Sequence, residues 1–360
     1  MNNPYRNQPP KSFWRLAIGE RNPLEITDLW TPKFTINKNQ PVATLGSCFA
    51  QHISKALIKE GYCWMNSEPA PEKFPDDLKS SFNYDVFSAR VGNIYTTALL
   101  KQWILWAFKL EEPSAEVWEE NGRYFDPFRP NIEPNGFNSH LEVIACRNST
   151  LNAMRNMFEN CNTLIFTLGL TEAWINKVDG KIYPMCPGTI AGTFSDEYHQ
   201  FKNYNFNEIV NDLKDALDTL KKYNSSIKFL LTVSPVPLTA TATQDHVLNA
   251  TCYSKSTLRA VAGELSNQHD DVDYFPSYEV ISSFPFKSMF YDPNMRTVCK
   301  SGVDFVMQNF FKSLNNSSEN IFIDSPINSE DNKSIVGDSP KFLGGDEVCE
   351  DLILDHARRS

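Results

Sequence analysis

Apolar positions along the chain follow two alternating periods. Short apolar runs of strand length stand at 41–45, 163–168, 227–233 and 272–275. Between them, apolar residues return every three or four positions, the period of a helix with one buried face. Phe49, Ile53 and Leu57 predict a helix to about residue 60, and Leu151, Met154 and Phe158 predict a second. Ile209, Leu213, Leu217 and Leu220 give the clearest helix; Leu258, Val261 and Leu265 give another, and a last one is expected over about 303–314. Strands that alternate with helices are joined most economically as parallel strands with crossover helices, so an α/β domain is expected.

Two stretches break the pattern. Residues 112–147 and 180–206 are rich in Pro, Gly, Asn and aromatics without clean periodicity. Long connections of this kind in an α/β domain tend to be functional, and both are expected to act as lids. From 315 to 347 the chain is polar, with a short docking helix expected at 348–357. The expected organisation is therefore an N-terminal arm (1–34), an α/β domain with two lid-like insertions (35–314) and a polar C-terminal tail (315–360). No internal repeat is visible.

Composition narrows the partners. A chain of 360 residues with 41% hydrophobic residues can bury a sizeable core in one large domain or two small ones. Its 34 Lys+Arg against 44 Asp+Glu, a formal net charge of −10, argue against a general nucleic-acid binder, which needs a basic face. The first 15 residues are polar and lack an apolar signal segment. The longest apolar stretch, 98–110, is too short to span a bilayer and carries Lys101 and Lys109. Eight cysteines are scattered without a CxxC pair or ligand spacing, which fits reduced thiols and no zinc site. A cytoplasmic protein without a membrane span is expected.

Thr44-Leu45-Gly46-Ser47-Cys48-Phe49-Ala50 is the most informative segment. A strand runs into Gly46 and a helix follows Ser47. In an open parallel sheet, ligands gather at the carboxyl ends of the strands. A serine there presents its hydroxyl to the cleft, and its own amide sits at a helix N-terminus, where it can stabilise an oxyanion. The same position suits a plain N-cap, so nucleophile and cap both stand at this point. Cys48 is a rival nucleophile, but the helical twist should turn it away from the mouth.

Gly46-Ser47-Cys48-Phe49-Ala50 spells the signature of the GSCFA family, which resembles a branch of the SGNH/GDSL hydrolases. Supporting segments are Thr167-Leu168-Gly169-Leu170-Thr171-Glu172-Ala173-Trp174, Thr232-Val233-Ser234-Pro235-Val236-Pro237 and Tyr274-Phe275-Pro276-Ser277-Tyr278-Glu279, and the resemblance covers roughly 35–314. It implies a three-layer αβα sandwich with a mostly parallel, flavodoxin-like sheet and Ser47 as nucleophile. It further implies an oxyanion hole from the Ser47 amide, the Gly92 amide with Asn93 beside it, and an asparagine in the third block. Thr171 stands in that asparagine's place here. Trp174 and Arg296 are candidate substrate contacts, with Lys255 a further cation that suits an anionic ligand.

The resemblance also implies Asp-x-x-His on the loop after the last strand. That loop reads Tyr291-Asp292-Pro293-Asn294-Met295-Arg296-Thr297-Val298 and has no histidine. Among the six histidines, His246 lies on a loop that leaves the same sheet edge as Ser47, so it is the favoured base. Asp292 is the first choice to orient it and Glu172 the second. The expected function is serine-dependent hydrolysis or transfer of small acyl esters, with acetyl groups on carbohydrate implied by the resemblance. No cofactor is required for hydrolysis, whereas acetyl-CoA is the natural donor for transfer. The alternative is a non-catalytic binding or scaffold protein on a degenerate hydrolase fold, favoured by the missing histidine and by Thr171. A metal-dependent hydrolase has little support, because no ligand spacing is visible.

Overall fold

In the computed structural model, residues 3–319 are described. The first apolar run is strand β1 (Val42–Gly46), followed at once by helix α1 (Ala50–Lys59). Helix α2 (Thr97–Ala107) comes next, capped by Thr96, whose hydroxyl accepts the Leu99 amide. A hairpin of β2 (Trp118–Glu120) and β3 (Arg123–Phe125) precedes α3 (His140–Asn160) and β4 (Thr163–Leu168). Three short strands follow: β5 (Glu172–Asn176), β6 (Ile182–Tyr183) and β7 (His199–Asn203). The chain then runs through α4 (Phe206–Tyr223), β8 (Lys228–Val233), α5 (Val247–Gln268), β9 (Val272–Phe275), α6 (Ser277–Ser282) and α7 (Lys300–Glu319). The expected terminal helix at 348–357, with the tail beyond 319, lies outside the described residues.

Strands β1, β4, β8 and β9 form one all-parallel sheet in the order β1-β4-β8-β9. Side chains alternate between its faces, and each face has its own core. Ala43, Leu45, Leu164, Phe166, Phe229, Leu231 and Val272 point into a cluster with α2, α3, α4 and α5. Val42, Ile165, Leu230 and Phe275 point into a second cluster with α1, α6 and α7. Helices cover both faces, as strands with continuous apolar runs require. This is the expected α/β/α sandwich.

The N-terminal arm belongs to the second core. Ile26, Trp30, Phe34 and Ile36 are buried in it, and Trp30 stacks on Phe310 at 5.5 Å. The Trp30 indole and the Lys33 amide both donate to Asp273 on β9 (3.1 and 2.9 Å).

The two insertions carry more structure than their composition suggested. In the first, Ser139 caps α3 by accepting the Glu142 amide, so the helix starts at His140, well before the expected Leu151, Met154 and Phe158. Asp126, fully buried, accepts from Arg129 (2.8 Å) and Arg147 (2.7 Å), and Arg147 also donates to the Glu116 carbonyl. These bonds fasten the 112–133 stretch to α3. In the second, β6 and β7 pair antiparallel on either side of β5, with Trp174 opposite Tyr183 and Phe201. Strands this short show too few alternations to be read from sequence. Helix α2 is buried nearly all round, so it has no polar face to reveal its period. No helix among the described residues is long and apolar enough to cross a membrane.

Candidate active site

Gly46 ends β1 with φ +130°, a conformation that side chains rarely adopt, and a Cβ there would lie 2.6 Å from the Thr167 backbone nitrogen. Glycine is thus required for the turn that presents Ser47. Ser47 is 2% exposed, and its Oγ has no hydrogen-bond partner among the described residues. It caps nothing: α1 begins at Ala50 after a tight turn in which the Ala50 amide bonds the Ser47 carbonyl (2.9 Å). Cys48 is buried in the second core, as its place on the turn predicts.

Two other segments close around this turn. Ile94 donates to the Gly46 carbonyl (2.9 Å), which lays Gly92 and Asn93 beside the end of β1. Gly92 has φ +68°, and Asn93 is 1% exposed. From β4, Gly169 and Leu170 both donate to the Tyr95 carbonyl (3.1 and 2.9 Å). A Cβ on Gly169 would stand 3.0 Å from the Ser47 Cβ, so glycine is needed where β4 meets the serine. The three blocks therefore come together in space.

Within them, two of the expected oxyanion donors are engaged elsewhere. The Ser47 amide donates to the Thr167 carbonyl (3.0 Å), because the chain is still paired with β4 when the turn begins. The Thr171 hydroxyl donates to Asn203 Oδ1 (2.7 Å), and its amide to Ser254 Oγ (3.1 Å). A carboxamide thus does reach the third block, borrowed from β7 some thirty positions away. Gly92 and Asn93, the other expected oxyanion residues, lie beside the end of β1.

The expected base makes no hydrogen bond to the serine. His246 is exposed and caps α5, its Nδ1 accepting the Leu248 amide (3.1 Å). The buried part of its loop is Ser234–Leu238, and by residue 246 the chain has reached the outer start of α5. No carboxylate among the described residues bonds the His246 ring. Asp292 instead closes a turn, its carbonyl accepting the Met295 amide (2.8 Å). Glu172 accepts from the Thr241 hydroxyl (2.7 Å), and burial raises its carboxyl above the usual range. The Arg296 amide donates to Asn294 Oδ1 (2.9 Å) within the same turn as Asp292.

Three residues on from Asp292, where the resemblance implies a histidine, this loop holds Met295; Asn294 and Thr297 are joined by a hydrogen bond from Asn294 Nδ2 to Thr297 Oγ1 (2.8 Å). Neither side chain titrates near neutral pH. The other described histidines lie elsewhere. His52 packs edge-on to Phe49 along α1, His140 starts α3, and His269 ends α5. His199 is buried against Tyr183 and Phe194, and burial pulls its pKa down. His356 lies outside the described residues. Among those residues, no three His, Cys, Asp or Glu side chains cluster to hold a metal.

Sequence patterning gave one further residue too little weight. Lys255, on α5, is 1% exposed, and its Nζ donates to the Gly169 carbonyl (2.8 Å). The glycine that packs on Ser47 therefore also holds a buried amine. Its only sequence signal is position: Ser254 and Lys255 fall on the same face of α5 as Leu258, Val261 and Leu265.

Beyond Leu170 the β4–β5 turn opens into a cavity of about 370 Å³. Trp174, Phe201, Met185 and Leu238 wall it, with Glu172 and Thr239 among its polar lining. Trp174, a candidate substrate contact, is on its wall. Arg296 is not among the lining residues.

No curated protein sequence matches the chain. The profile of the GSCFA family matches residues 41–310, which takes in β1, Ser47 and every strand of the parallel sheet. The protein belongs to the GSCFA family.

Proposed function

We propose that the protein is a serine-dependent acyl ester hydrolase or O-acyltransferase that works through an acyl-enzyme on Ser47. One observation carries this reading: a buried serine hydroxyl with no partner, at the end of a parallel strand, against a glycine that leaves room beside it. Buried polar groups are almost always bonded, and exceptions mark functional sites. Ser47 Oγ bonds to the acyl carbon while its proton passes to a base. The ester's C–O bond then breaks, and the alkoxide leaves as an alcohol with that proton. Water, or the hydroxyl of an acceptor, takes the acyl group in the second half and restores the serine. The oxyanion is held by the Gly92 amide and the Asn93 side chain.

Lys255 fits the base better than His246. Serine–lysine pairs are an attested form of this chemistry. The Lys255 Nζ is tied to the site through the carbonyl of Gly169, the glycine that packs on Ser47. Small acyl esters are the substrates this reading predicts. An acyl-CoA is the donor in the transferase form, and a cytoplasmic location would give access to it.

A second reading, a binding protein on the same fold, draws support from the surface position of His246 and from Met295 at the position, three residues after Asp292, where the resemblance implies a histidine. Turnover of an aryl acetate separates the two. Wild type is expected to release the phenol, with a burst and an acyl mass adduct on Ser47, and Ser47→Ala to lose at least about a thousandfold. Equal rates in the two proteins, or none in either, would remove the esterase reading.

A further inference from the structure

We propose that the cavity behind Leu170 binds the acyl chain of a neutral ester several carbons long, in preference to an acetyl group or to any anionic ligand. Its place relative to the chemistry rests on Ser47 being the nucleophile; its binding preference does not. Gly169 packs on the Ser47 Cβ and Leu170, the next residue, is already on the cavity wall. An acyl carbon at Ser47 would therefore have its chain beside the cavity mouth.

The walls select by character. Trp174, Phe201, Met185, Leu238, Pro184 and Pro187 supply an apolar lining that rewards burial of hydrocarbon. No lysine, arginine or histidine lines the cavity, and Glu172 is its one carboxyl. An anion entering here would find no cation and would face that carboxyl, so phosphates and carboxylated chains are disfavoured. Hydrogen-bonding groups in the lining are few: Thr239 Oγ1 is buried with no partner among the described residues, and Thr189 adds a second hydroxyl. A sugar ring brings many hydroxyls and would meet too few groups to satisfy them, since Glu172 is already bonded to Thr241.

Size points the same way. At about a water's share of liquid volume per heavy atom, roughly 30 Å³, an acetyl group would fill only about a quarter of the 370 Å³. On the same measure, a chain of six to eight carbons would fill about half to two thirds of it. This departs from the acetyl group that the family resemblance implies.

The test reads binding and turnover separately. With full-length Ser47→Ala, ligand-observed NMR compares acetamide, hexanamide, hexanoate and methyl glucoside at pH 8. Hexanamide is expected to bind at least about tenfold more tightly than the other three, and Ala240→Trp, at the exposed edge of the cavity lining, to weaken it about tenfold. Equal or tighter binding of acetamide, hexanoate or methyl glucoside, or no change in Ala240→Trp, overturns the proposal. With wild type, the ratio of kcat/KM for 4-nitrophenyl hexanoate over acetate is expected to exceed about tenfold and to fall towards one in Ala240→Trp. Preference for acetate in an active enzyme sinks the cavity's role and leaves Ser47 standing. The binding pattern without any turnover retains the cavity and removes Ser47.

Discussion

At Ser47, local sequence and surrounding structure agree because the features that place it are adjacent in the chain. A strand, a glycine with positive φ and a helix follow within a few residues, and the hydroxyl is delivered by that turn alone. His246 shows the contrary case. Its loop leaves the correct sheet edge, yet the ring ends up as an exposed cap, because the direction in which α5 enters its layer decides where residue 246 points. Lys255, nine residues on, lies on the buried face of that helix. A substitution pair tests this assignment. Lys255→Met is expected to lower kcat/KM by about 10²–10⁴ and to remove the rise of rate with pH that a base must show. Lys255→Arg keeps a donor for Gly169 but cannot give up its proton near neutral pH. It should therefore be as inactive as Met; full activity in Arg would reduce Lys255 to a positioning residue. His246→Ala is expected to leave the pH profile in place.

At the scale of elements, the amphipathic helices and fully apolar strands were readable, and the insertions were not. Residues 112–147 are held by a charge cluster that sequence periodicity does not show: Asp126 pairs with Arg129, three residues on, and with Arg147, twenty-one on, all 1% exposed or less. Burial opposes ionisation of Asp126, but the two guanidiniums outweigh it and hold its carboxyl below the usual range. The stabilisation from this pairing is present above the ordinary carboxylate pKa, near pH 4, and is lost as pH falls through the lower value of the folded state. Asp126→Asn leaves two buried cations short of their partner and is expected to destabilise the fold by about 3–5 kcal/mol. Urea denaturation at pH 7 measures the loss, and at pH 2–4 the gap between the two proteins should narrow. An unchanged midpoint at pH 7 would contradict the role given to this cluster. The second insertion folds for a different reason: β6 and β7 find β5, and Trp174 gains Tyr183 and Phe201 as cross-strand neighbours.

For the whole molecule, the parallel sheet divides the interior into two cores, and the arm expected to be separate completes one of them. Trp30 lies between Phe275 and Phe310, and its indole bonds Asp273. Trp30→Ala is expected to cost about 3–5 kcal/mol of stability, read as a lowered Tm, while specific activity below the transition stays near that of wild type. A variant with unchanged Tm would show the arm to be an appendage after all. By itself, the sequence determined the alternation of strands and helices, the layered α/β class and the serine at the end of β1, because periodicity and tight turns are local properties. Only the tertiary structure decided which side chains join that serine. Gly169, Asn93 and Lys255 come from three separate segments, and their meeting depends on sheet order and on the direction each loop takes. A single strand or helix does not encode those directions; packing against the rest of the chain fixes them.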